Sequence, residues 1–308
     1  MKKSNNSFFA IFICSIFAFS CSEGEQKNEA KELSEKAEKH VQEKKEASTP
    51  LEVQKVKSLT HSIPSPIEVA HIIKASGGNY AKSNLNPAKR ASQYPTRFQQ
   101  SLNLGVYSAD LTLASMYNQH QDALTYLGSI NEISNALEID HLFDLEAIEK
   151  LLKNNDNLDS LLTISTSNFE KINLYLHSQN RSHQTTLILT GGWIEGLYLL
   201  CQIQKEISSD ELSEKIGEQK FVLEQLLKLL NTYSSEEDFK SLHHDLKKLH
   251  SIYEGVIIET TQGKAEHKET NGMMLISSNA IQSVQIPDEV LKEISVQLNQ
   301  IRNNIIDL

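Results

Sequence analysis

From position 66 onward, apolar residues recur three and four positions apart, the spacing that turns one helix face away from water. Pro66 stands at a first helical position behind Ser65 and opens a helix through Ile67, Ala70, Ile72 and Ile73, which stops at Gly77-Gly78. Residues 79–95, with their Asn, Pro and Ser, read as a loop. Thr96 to Asn118 follows as a long helix. Phe98, Leu102, Gly105, Val106, Ala109, Leu113 and Met116 form one stripe, and Leu104, Tyr107 and Leu111 lie on another face. A helix apolar on more than one face belongs in the centre of a protein.

The pattern continues with helices over Gln119 to Leu137, over a shorter stretch capped by Asp140, and over Asn155 to His177. The second dense run, Leu187 to Cys201, is broken only by Thr190 and Glu195; its length and Glu195 exclude a membrane span, so it reads as a second buried helix reaching Ile203. Two amphipathic helices follow, Asp210 to Asn231 and Ser235 to Glu254, the latter with a capping box from Ser235 to Asp238. Residues 255–285 change character. Short apolar runs at Val256 and at Met273 flank polar sequence with Gly263 and Asn271-Gly272, which suits a small β-hairpin. Pro287 and Asp288 open a final helix with Val290, Leu291, Ile294, Leu298, Ile301 and Ile305 inward. The expected fold is mainly α: one helical domain over residues 64–308, built around two buried helices.

The first 63 residues do not fit this pattern. Lys2 and Lys3 precede an apolar run of 12 residues, Phe8 to Phe19, too short for the ~20 of a spanning helix. Small residues and Cys21 follow, which makes residues 1–20 a secretory signal. Ala18-Phe19-Ser20-Cys21 resembles the lipobox of bacterial lipoproteins, although Ala18 stands where Leu is usual and Phe19 is bulky. The resemblance implies cleavage before Cys21 and a diacylglycerol on its thiol. Each buried CH₂ of such a chain contributes ~0.8 kcal/mol to membrane binding. Residues 21–63 then form a charged tether. Eight Lys and nine Glu fall between positions 22 and 57, and such a segment cannot bury enough apolar surface to fold alone. As a coil it spans about 35–40 Å.

Composition narrows the function classes. The 308 residues carry a net charge of −10, and loss of Lys2 and Lys3 with the signal leaves −12, which argues against a general nucleic-acid binder. Of the three cysteines, Cys14 leaves with the signal and Cys21 is lipidated, so Cys201 remains as a small buried hydrophobe with no disulfide partner. Glycine-rich phosphate loops and nucleophile-elbow or zincin motifs are absent. His243, His244 and His250 share one helix but lack a carboxylate or Cys at ligand spacing, so neither metal nor cofactor is expected.

Two carboxylates stand out. Asp110 lies among Val106, Leu113, Ala114 and Tyr117, and Glu195 among Ile188, Gly191, Gly192, Tyr198 and Leu199. Both sit on apolar faces, where an isolated charge is costly, so each is expected to be protonated or hydrogen-bonded. With Tyr107, Trp193 and Tyr198 nearby, they form a candidate ligand site or structural polar knot; Arg97 and Lys74 are its candidate cations. The glycines at 191, 192 and 196 suggest close approach of another helix. Gly105, Tyr107 and Leu111 are echoed 86 positions later by Gly191, Trp193 and Leu197.

The segments Gly105-Val106-Tyr107-Ser108-Ala109-Asp110-Leu111 and Gly192-Trp193-Ile194-Glu195-Gly196-Leu197-Tyr198 resemble those of uncharacterised all-helical lipoproteins of Gram-negative bacteria. That resemblance implies an all-α fold and no known activity. The iron-associated imelysin-type proteins are also helical and exported, but their GxHxxE motif is missing here. The expectation is a non-enzymatic envelope module, anchored in the outer membrane and facing the periplasm, with a protein or small-molecule partner. The alternative is an envelope enzyme using interior Asp110 and Glu195.

Overall fold

Thr96 starts the central helix by a reciprocal cap. Its hydroxyl accepts the Gln99 N–H at 3.2 Å, while Gln99 Oε1 accepts the Thr96 N–H at 3.3 Å. The computed structural model describes residues 66–154, 158–233, 237–270 and 273–307. All of these belong to one unit, Pro50–Leu308. The expected signal and tether, and the Ser235 cap, lie outside the described residues.

The described chain runs α1 (Pro66–Ala75), α2 (Arg97–Met116), α3 (His120–Ala136), α4 (Leu145–Asn154), α5 (Leu158–Ser178), α6 (Ser182–Ile207), α7 (Asp210–Asn231), α8 (Glu237–Tyr253), β1 (Ile257–Thr270), β2 (Met273–Gln285) and α9 (Asp288–Ile306). The fold is mainly α with one two-stranded antiparallel sheet, as the hydrophobic period predicts. Helices α2 and α6 pack on each other at the centre. Helix α1 touches both, α3 covers α2, α7 covers α6, and α9 lies against α8, α6 and α2. The hairpin's base rests on α7.

Two details differ from the sequence expectations, and a third agrees. Asp140 begins only a 3₁₀ turn, Asp140–Leu142; the helix after it is capped by Asp144, whose Oδ1 accepts the Ala147 N–H at 3.1 Å. The hairpin falls within the expected residues 255–285, with register running from Ile257↔Gln285 to Thr270↔Met273 and an irregularity between Gln262 and Ala265. Helix α6 has 26 residues, long and apolar enough to cross a membrane, so length does not exclude a span. Burial decides instead: 89% of its most apolar window is covered by this protein's own helices.

Close approach explains the glycines. A Cβ on Gly105 would lie 2.0 Å from the Ile188 carbonyl oxygen, and one on Gly191 would lie 2.0 Å from that of Leu102. Only glycine lets the two backbones meet this way. The pairs 105/188 and 191/102 are related by the same 86-residue offset as the sequence echo, so the crossing is locally two-fold in that register. Gly196 is different, since it faces the Val69 side chain of α1 at an ordinary 3.5 Å.

Candidate functional site

Where α2 and α6 cross, Asp110 and Glu195 come together, and both are 0% exposed. The cation that joins them is Arg302 of α9. Its Nε donates to Glu195 Oε2 at 2.6 Å and its Nη2 to Glu195 Oε1 at 2.7 Å, a bidentate pair. Nη2 also donates to the Asn84 carbonyl at 2.9 Å, and the guanidinium carbon lies 4.0 Å from the centroid of the Tyr198 ring. Burial works against the charge on Arg302, but the charge and hydrogen bonds of Glu195 outweigh it and hold the guanidinium above its ordinary pKa.

Asp110 completes the cluster. Its Oδ2 accepts the Asn86 N–H at 3.0 Å, and its carboxyl is within hydrogen-bond reach of Glu195. Two ionised carboxylates cannot bond each other, so one must carry a proton. Burial first, and the Glu195 charge second, push Asp110 well above the usual carboxylate range, only partly offset by Arg302 and the Asn86 N–H. Asp110 Oδ1 meets no other donor and is the oxygen left to hold that proton toward Glu195. The cluster is then neutral overall: one cation, one anion and one carboxylic acid.

The segment between α1 and α2 closes over this cluster. It is not a featureless loop: two 3₁₀ turns, Lys82–Asn84 and Ala88–Gln93, bracket an extended stretch. Asn86 is fully buried; its side chain donates to the Tyr94 hydroxyl at 3.0 Å and to Asn103 Oδ1 at 3.1 Å. Asn103 in turn donates to the Ile305 carbonyl at 3.0 Å, and the Tyr94 hydroxyl to that of Ile306 at 3.3 Å. The plug, α2, α6 and the end of α9 are thereby tied together by buried polar contacts.

The other sequence-predicted residues divide. Tyr198 joins the site through its ring. Tyr107 borders it, its hydroxyl donating to the Pro87 carbonyl at 3.0 Å, and burial raises its pKa. Trp193 is not part of the knot. Two positions before Glu195 puts it on a different helix face, where its Nε1 donates to Gln219 of α7 at 3.0 Å. Neither expected cation serves the site: Arg97 pairs with Glu138 at 3.0 Å, and Lys74 donates to the Met116 carbonyl at 2.9 Å. Arg302 does, and its signal was present in the sequence. It is four residues from Leu298 and three from Ile305, inside the apolar stripe of the last helix.

No protein-family model, curated protein or solved structure matches this chain. Among the described residues no group of three or more His, Cys, Asp or Glu could hold a metal, and His250 faces Glu224 at 3.7 Å. Cys201 is buried, and burial pushes its thiol up to about 12. A surface depression of about 340 Å³ lies on the far side of the plug, lined by Lys82, Ser83, Leu85, Pro87, Ala88, Lys89, Asp122, Thr125 and Tyr126. Neither Asp110 nor Glu195 lines it.

Proposed function

We propose that this chain is a lipid-anchored protein of the Gram-negative cell envelope that works as a binding or structural module, without catalysis at Asp110 and Glu195. The anchor is Cys21, and residues 22–63 hold the helical domain off the bilayer. Ser22 after Cys21, with no Asp there, favours the outer membrane, and the periplasmic face is preferred over the cell surface. The resemblance to uncharacterised helical lipoproteins supports the same reading. The observation that carries the non-catalytic part is the complete burial of both carboxylates beneath the 84–94 plug. A substrate has no route to them, whereas a charge-balanced, bidentate cluster fixes the register of α2, α6 and α9.

Incorporation of labelled palmitate tests the anchor. The wild-type chain should take up label in a Gram-negative host and Cys21→Ala should not; equal labelling of the variant would reject the lipoprotein reading. Protease treatment of intact cells tests the face, since rapid digestion without lysis would put the domain outside.

One observation favours the enzyme reading: two carboxylates that share a proton are suited to acid–base chemistry. A water-soluble carbodiimide distinguishes the two. Under native conditions Asp110 and Glu195 should stay unmodified while surface carboxylates react. Modification of either in the folded protein would show an open route and favour the enzyme.

A further inference from the structure

Tyr126 of α3 is only 2% exposed, and its ring lies beside Tyr107 with centroids 6.1 Å apart. Its hydroxyl nevertheless has no hydrogen-bond partner among the described residues. The oxygen is not sealed in the core but ends at the surface depression that Tyr126 helps to line. A phenol whose oxygen reaches solvent-accessible space, and which is tied to no protein group, can exchange water for a ligand oxygen. Burial above all keeps the phenol above its ordinary pKa, so the donor stays protonated.

The charges around the depression are unevenly committed. Asp122 is bonded by Lys82 and accepts the Tyr80 hydroxyl at 2.8 Å, and the Lys82 hydrogen bond is the main reason its pKa is lowered. That carboxylate and Lys82 therefore satisfy each other. Lys89, exposed and among the lining residues, has no ion-pair partner among the described residues. Leu85, Pro87 and Ala88 supply apolar wall. The volume of about 340 Å³ falls at the lower end of small-molecule sites, which run from about 300 to 1,000 Å³.

We propose that this depression binds a small organic carboxylate, with the carboxylate between the Tyr126 hydroxyl and the Lys89 ammonium and its apolar body against Leu85, Pro87 and Ala88. The recognition logic is a neutral phenol and an unpaired ammonium lining one depression, where the Asp122 carboxylate is already held by Lys82 and Tyr80. The wall is the same segment that closes over Asp110 and Glu195 from the other side, through Asn84, Asn86 and Pro87. Occupancy of the depression therefore bears directly on the plug. This inference rests on reading the chain as a binding module, and it names the ligand class.

Sodium benzoate is the probe, followed by saturation-transfer NMR on the full lipid-anchored chain in phospholipid nanodiscs, with empty nanodiscs as blank. A ligand of this size should bind with Kd of about 1 mM. Tyr126→Phe and Lys89→Gln should each weaken binding about ten-fold, and neutral benzamide should bind about ten-fold more weakly than benzoate. Tyr126→Phe removes an unpartnered hydroxyl, so its melting temperature should match wild type, which separates lost binding from lost folding. The proposal is overturned if benzoate at about 10 mM gives no transfer above the blank, if both variants bind at wild-type strength, or if benzamide binds equally well. Such a failure leaves the anchor reading standing, because palmitate labelling is independent of it.

Discussion

Replacing Arg302 by Met removes one charge from a sealed site while keeping most of the side-chain volume. Arg302 is 6% and Glu195 0% exposed at the side chain, and two hydrogen bonds of 2.6 and 2.7 Å join them. Breaking a buried pair by deleting one partner costs about 3–5 kcal/mol, since the remaining charge has neither water nor counter-ion. For a helical domain of this size, that lowers the melting temperature by about 6–20 °C. Glu195→Met alone should be costly in turn, whereas Glu195→Met with Arg302→Met removes both charges and should recover part of the loss. What remains is the missing acceptor for Asp110, worth about 1–3 kcal/mol. Urea unfolding followed by far-UV circular dichroism measures all three variants. The double variant should be less destabilised than the two singles combined by more than about 1 kcal/mol. A loss below 1 kcal/mol for Arg302→Met, or strict additivity, would refute the buried cluster.

Asp110→Asn imitates the protonated acid, so at neutral pH it should be neutral or stabilising. Because the folded pKa of Asp110 is raised, the wild type is favoured below the ordinary carboxylate pKa and loses that advantage as pH climbs; melting curves from pH 4 to 8 should show a flatter profile for the variant. Gly105→Ala and Gly191→Ala each force a Cβ to 2.0 Å from a backbone oxygen and should cost more than about 3 kcal/mol, while Gly192→Ala, with its nearest contact at 3.4 Å, should cost much less; thermal melts that rank them otherwise would contradict the crossing geometry. Cys201, buried and with its thiol pushed up to about 12, should react with a thiol reagent only at the rate of unfolding; rapid labelling of the native protein would place it at the surface.

The sequence by itself determined the class of fold and most of its parts. The interval between apolar residues fixed α7 as Asp210–Asn231, and Thr96, Pro66 and Asp288 marked helix starts, because period and caps are local properties of the chain. The same local logic singled out Asp110 and Glu195, since a carboxylate inside an apolar stripe must be buried with its neighbours. Which partner each finds is not local. Arg302 is 107 residues from Glu195, and only the packing of α9 against α6 and α2 brings it there. Trp193 shows the reverse: near Glu195 in sequence, it is turned by two residues of helical rotation toward Gln219. The plug was unreadable for a further reason. Asn84 and Pro87 act through backbone carbonyls and Asn86 reaches Asp110 through its N–H, and main-chain groups leave no mark in residue identity. The depression that Tyr126 lines with the 82–89 segment is likewise a matter of tertiary placement alone.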